Sequence, residues 1–241
     1  MAEAWLLDEV KAPSKAALFD LEGTLLAAPG GNKRAALAEN VPHLAVRIPE
    51  IVIHDNKKWF GGEADIRLDA LVVHGSVKEG KPSGFYMPGT FRFARVADGD
   101  YLPIGKPGLL IFHGRPLYFL DIFLTVSRDV KDSEDLSTLL VQNLKSQEVQ
   151  GAIGTLLGLA VAAPHVAAIT AALGAAVVLG DFTCQILRKV TGQTVGLYRN
   201  AYLQFPDGFG VGRHPEVGVH KVKDLSFAHE IVIAEKSPNG V

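Results

Sequence analysis

The chain has 241 residues and a mass of 25.8 kDa, long enough to bury a core of its own and of a size for one large domain or two small ones. Hydrophobic residues make up 48% and charged residues 21%, which excludes a disordered or fibrous chain, and a formal net charge of −2 argues against a general nucleic-acid binder. A single cysteine, Cys184, excludes an intramolecular disulfide and any multi-cysteine metal site.

The first residues, MAEAWLLDEV, lack a basic stretch followed by an apolar run, so no secretory signal is expected and the expected location is cytoplasmic, with membrane association left open. Residues 1–40 are mixed and carry a turn signal at Pro29, Gly30 and Gly31. From 41 to about 130 the apolar period becomes two. LAVRIPEIVIHD (44–55), ADIRLDALVVHG (64–75), GTFRFARV (89–96), GLLIFHG (108–114) and LYFLDIFLTVSRD (117–129) read as strands separated by Gly- and Pro-containing turns. Asp65, Arg67 and Asp69 alternate with Ile66, Leu68 and Ala70, which predicts one wet and one buried face. Strands at this spacing without helices between them predict an antiparallel sandwich.

Leu136, Leu140 and Leu144 recur at i+4 and predict an amphipathic helix over 133 to about 148, capped by Asp132 or Ser133. Residues 151–180 then contain no Asp, Glu, Lys or Arg. Pro164 and His165 at the centre divide this Ala- and Gly-rich block, so it reads as one kinked span or a hairpin of two short apolar helices. Gly154 and Gly158 form a GxxxG along which two backbones could approach closely. A short helix over 182–192, strands over 194–205 and 225–235, and a loop at GFGVGRHPEVG complete the chain. The expected class is α+β: a single domain in which 1–132 and 193–241 form an antiparallel β-sandwich and 133–192 an inserted helical subdomain of roughly 60 residues.

Carboxylates gather in HDNKKWFGGEAD and LTVSRDVKDSED. Asp55, Asp65, Asp129, Asp132 and Asp135 are the candidate ligands for calcium, a hard ion that takes several oxygens from loops at strand ends. LTVSRDVKDSEDLSTL resembles a calcium-binding loop of C2 domains, and HDNKKWFGGEAD resembles another. The resemblance implies a C2-like sandwich that binds calcium and lipid headgroups through these loops. Trp59 and Phe60 then suit insertion into a membrane interface. The charge-free block resembles, by composition, the hydrophobic hairpin of colicin-type pore formers, which adds Gly154, Gly158 and Pro164 to the candidate membrane-contacting residues.

ALFDLEGTLL (17–26) resembles the first motif of haloacid-dehalogenase-like phosphatases. That resemblance implies a nucleophile at Asp20, with Glu22 in the acid/base place where the family has Asp. GDFTCQ (180–185) is similar to the family's magnesium motif at Asp181 but carries Gln185 at the second carboxylate position. The family's parallel sheet is not what the strand spacing predicts. His54, His74 and His113 each follow an apolar strand and could meet; no helical zinc motif occurs. The function expected first is a membrane-interacting, pore-forming or membrane-disrupting protein with a latent apolar hairpin. A soluble binding or assembly module, its hairpin buried in the core or a self-association interface, is the alternative, and a phosphatase is the third.

Overall fold

The computed structural model describes residues 41–74, 86–159, 166–204 and 207–234. Within them the protein is a mixed α+β structure with two antiparallel sheets and three helices. The strands are β1 (Leu44–Ile53), β2 (Ala64–Val73), β3 (Tyr86–Val96), β4 (Asp100–Tyr101), β5 (Leu109–Gly114) and β6 (Phe119–Arg128). Three helices follow: α1 (Leu136–Asn143), α2 (Gln147–Leu159) and α3 (Val166–Val190). Then come β7 (Thr194–Leu203), β8 (Gly212–His214), β9 (His220–Val222) and β10 (Leu225–Ile233).

Sheet 1 is built on the β1–β10 pair. β4 and β5 share the free side of β1, and β8 and β9 share the free side of β10. Sheet 2 runs β3-β2-β6-β7. Ile66, Leu68, Ala70 and Val72 of β2 and Leu120, Ile122, Leu124 and Val126 of β6 face sheet 1, burying the core between the sheets. On β1 the inward residues are Leu44, Val46 and Ile48, then Ile51 and Ile53. That change of parity is absorbed by an irregularity between Arg47 and Glu50. Pro49 sits inside it, where a missing N–H costs no ladder bond.

The other face of sheet 2 is covered as well. Leu71, Val73, Phe119, Phe123 and Leu203 form a second core with Leu136, Leu139 and Leu140 of α1, Val149, Ile153 and Leu156 of α2, and Ala172, Ala176 and Leu179 of α3. This corrects the expectation of a wet face. Asp65 is exposed, but Arg67 and Asp69 are 0% and 2% exposed. Arg67 Nε and Nη2 donate to Asp69 at 2.7 and 2.9 Å, Thr90 donates to Asp69 at 2.6 Å, and Arg67 Nη1 donates to Ser133 Oγ at 2.9 Å. Asp121, also buried, receives Arg199 at 2.7 and 3.1 Å. Buried charges persist only when paired and bonded in this way. Removing one member of such a pair costs about 3–5 kcal/mol.

The helices differ from their predicted bounds. One helix over 133–148 is instead α1 and the first turn of α2, separated at 144–146, and Asp135 rather than Asp132 or Ser133 holds the N-cap. Asp132 lies in a left-handed turn at φ 63°. The separate helix over 182–192 is the last part of α3, a continuous 25-residue helix. α3 passes against the sheet at Gly180, where an added Cβ would overlap the Phe123 ring. Pro164, His165 and residues 17–26, with Asp20 and Glu22, lie outside the described residues.

Candidate functional site at the loop end

The β1–β2 loop is shaped from within. Asn56 is fully buried; its Nδ2 donates to Gly62 O at 2.7 Å and Val96 O at 2.8 Å, its Oδ1 accepts from Lys58 N at 2.9 Å, and its own N–H reaches Asp98 at 2.8 Å. One buried amide thus fixes both arms of the loop and ties it to the β3–β4 turn. The backbone is left-handed at Lys57, Phe60, Gly61 and Gly62, so the chain doubles back at the tip. This geometry drives Trp59 and Phe60 outward. They are 80% and 98% exposed, with ring centroids 6.0 Å apart.

Beneath the tip the charges are internally paired. Asp55 accepts from the Lys57 N–H at 2.7 Å and from Lys57 Nζ at 2.9 Å, and Lys57 also pairs with Asp224 in the β9–β10 turn. The Lys57 side-chain hydrogen bond holds the Asp55 carboxyl below its ordinary range. Arg128 Nη1 donates to Lys57 O at 3.2 Å. Asp65 accepts from the Arg95 N–H at 3.0 Å. Asp129 and Asp135 meet on Arg92: Nε donates to Asp129 at 3.1 Å, Nη1 to Asp135 at 2.5 Å, and Nη2 to Ser133 O at 2.5 Å. Of the five candidate calcium ligands the structure therefore brings Asp129 and Asp135 together, around a guanidinium. Asp55 belongs to a separate pair. Among the described residues no group of three or more His, Cys, Asp or Glu side chains is placed to hold a metal ion.

His74 and His113 lie at one end of the sandwich, against Phe112 (5.0 Å) and His43 (4.5 Å) respectively. His54 lies at the other end of β1, bonded to Ser226 Oγ at 2.5 Å. The three strand-end histidines thus do not meet. Asp181 is half-buried on α3, and burial raises its carboxyl above the ordinary range. Gly154 is exposed on α2 with open space around it. Cys184 is buried within hydrogen-bonding reach of Thr125, and its thiol is pushed up to about 11 by burial, which makes it inert.

Sequence reasoning missed a second assembly. The segment read as a loop contains β8 and, after it, β9; these lay His214 and His220 along the edge of β10. Tyr202, His214, His229, His220 and Tyr198 follow one another ring to ring at 4.7, 5.0, 5.5 and 4.8 Å. Tyr202 Oη lies 2.7 Å from His229 Nε2 and receives Asn200 Nδ2 at 2.7 Å; Tyr198 Oη lies 3.3 Å from His220 Nε2. The sequence signal was the i+4 spacing of Tyr198 and Tyr202 on a strand, which puts two hydroxyls on its inward face and calls for partners there.

Comparison with models of known families, with curated proteins and with solved structures finds no match for this chain.

Proposed function

We propose that the protein is a non-enzymatic membrane-surface module, C2-like in its loop end, that docks on lipid through Trp59 and Phe60. The observation that carries this reading is the outward pair itself: two large aromatic side chains, 80% and 98% exposed, on a loop stiffened by the buried Asn56. An indole ring favours the headgroup level of a bilayer, and a phenyl ring beside it can enter the apolar boundary below. A loop already held in shape loses little further freedom on binding. Lys58, exposed beside the tip, suits anionic headgroups. Calcium is the second ligand of this reading, taken by Asp129 and Asp135 in place of the Arg92 guanidinium.

Co-sedimentation with neutral and phosphatidylserine-containing vesicles, in calcium and in chelator, tests the reading. The wild type is expected to pellet with anionic vesicles and the Trp59→Ser, Phe60→Ser double variant to stay in the supernatant. Equal pelleting of the two, or none by the wild type in any condition, removes the proposal.

A second reading, insertion of the apolar helices into the bilayer, is favoured by one observation. Ile169–Val190 is long and apolar enough to cross a membrane, and 56% of its most apolar window is buried against the protein. The soluble alternative has its own support: over 147–156, where the exposure of α2 is described, the exposed residues are polar or small, such as Gln150, Gly151, Gly154 and Thr155. A helix packed in this way completes a core.

A further inference from the structure

The stacked imidazoles lie where the sandwich must be closed. β7 is the last strand of sheet 2, and β8 and β9 are the short strands on one side of sheet 1. Between these edges stand Tyr198, Asn200 and Tyr202 from β7, and His214, His220 and His229 from β8, β9 and β10. We propose that this histidine stack is an acid-sensitive latch: neutral imidazoles hold β8 and β9 against β7, and protonation releases that edge of the sandwich.

His214 Nε2 donates to Gly210 O at 2.5 Å, but at His229 the geometry offers a second ring proton nothing. His229 is fully buried and its Nδ1 has no hydrogen-bond partner, so a proton added there would be an unsatisfied buried donor. The rings of His214 and His220 lie at 23° and 19° to that of His229, an arrangement that becomes repulsive when two of them carry charge. Among the described residues, the imidazoles of the stack bond to tyrosine hydroxyls and a backbone carbonyl, not to a carboxylate. From β7 come two tyrosines and an amide. From β8 comes Arg213, already bonded to Glu50, Pro215 O and Gly218 O, and adding to the positive charge. Asp207, beyond β7, accepts from Leu203 N at 3.3 Å. Glu230 and Lys221, next along β10 and β9, alternate to the other face of the sheet.

Burial, with the neighbouring His214 and Arg213 charges, pushes His220 down to about 4, and burial with His214 and His220 pushes His229 down to about 2. In the opened edge both return to about 6.5. The sign follows. Well above pH 6.5 neither form binds the protons and the latch is indifferent to pH. Below it the opened form binds protons that the closed form refuses, so closure is lost as pH falls.

The test is native-state hydrogen exchange on the full chain, with protection corrected for the intrinsic rate. From pH 6.5 toward 5, protection of the β8 and β9 amides is expected to fall by up to about a hundredfold per pH unit, since two histidines each contribute up to about tenfold. Protection in β1, β2 and β6 is expected to fall far less. His220→Gln and His229→Gln should each cut the slope to about tenfold, and His113→Gln, outside the stack, should not change it. Should His229→Gln fail to fold, His220→Gln decides alone. A fall that is uniform across all strands, absent, or unchanged in the His220→Gln variant overturns the latch.

Discussion

Arg92 donates to Asp129, to Asp135 and to the Ser133 carbonyl, so one guanidinium occupies the place among these carboxylates that a calcium ion would take. The pairs are partly exposed, with side-chain exposures of 38% for Arg92 and 55% for Asp135, and such pairs contribute only about 0.2–1 kcal/mol each. An ion carrying two charges can therefore compete for them, but it must displace a cation that is tethered and always charged. Arg92→Ala separates the two effects. Without calcium the variant is expected to melt about 2–4 °C lower, the shift that ~1 kcal/mol gives in a chain of this size. Millimolar calcium is then expected to raise its melting temperature more than that of the wild type, because the freed carboxylates bind the ion only when folded. Equal shifts in the two proteins would show that Asp129 and Asp135 are not where calcium acts.

At the scale of elements, the two glycines at the ends of the apolar block do opposite work. Gly154 lies on the exposed side of α2 with nothing around it, so Gly154→Ala is expected to stabilise the protein by about 0.5–1 kcal/mol through helix propensity alone. Gly180 lies where α3 meets Phe123, and Gly180→Ala is expected to destabilise by about 1–3 kcal/mol as the helix is forced off the ring. Chemical denaturation of both variants reads the contrast; a stabilising Gly180→Ala would mean that α3 does not rest on β6 as described. The sequence carries both glycines but not this difference. Helical spacing shows that a residue is on a helix, not which side meets a sheet sixty residues away. The strands were legible for a related reason: period-two alternation is local, and β1, β2, β5, β6, β7 and β10 lie within two or three residues of where it puts them. The short strands β4, β8 and β9 carry too few residues for any period, and pairing with β1 and β10 creates them. The ion pair of Arg67 and Asp69 misled the alternation rule, because charges with partners can face a covered side as readily as water. At the loop end, the turn residues announced a tip at Trp59 and Phe60. The buried amide of Asn56 and the grip of Arg92 depend on chain segments far apart in sequence.

For the molecule as a whole, the question is what it would take for the apolar helices to leave the sheet. Departure into water exposes Leu71, Val73, Phe119 and Phe123 together with the facing residues of α1, α2 and α3. At roughly 1.5–3 kcal/mol for each large apolar side chain, the loss exceeds the 5–15 kcal/mol that holds an ordinary domain folded. The helical layer is therefore a fixed part of the protein in solution. Lipid changes only half of that sum, since it replaces the sheet as the surroundings of the helices but leaves the sheet face bare apart from its ion pairs. Insertion, in the second reading, thus requires docking first, and it requires α3 to separate from β6. The protein's single cysteine allows a direct test, because Cys184 on α3 lies against Thr125 on β6. In the Thr125→Cys variant, refolding in an oxidising glutathione buffer, which oxidises the thiols while they are still exposed, can join the two elements. If the helices insert, dye release from anionic vesicles is expected in the reduced variant, lost on oxidation and restored by a thiol reductant. Release that is equal in both forms would show that α3 stays on the sheet while the membrane is disturbed. No release in either form, with binding through Trp59 and Phe60 intact, would leave the helices with a single task, covering the second face of the sheet.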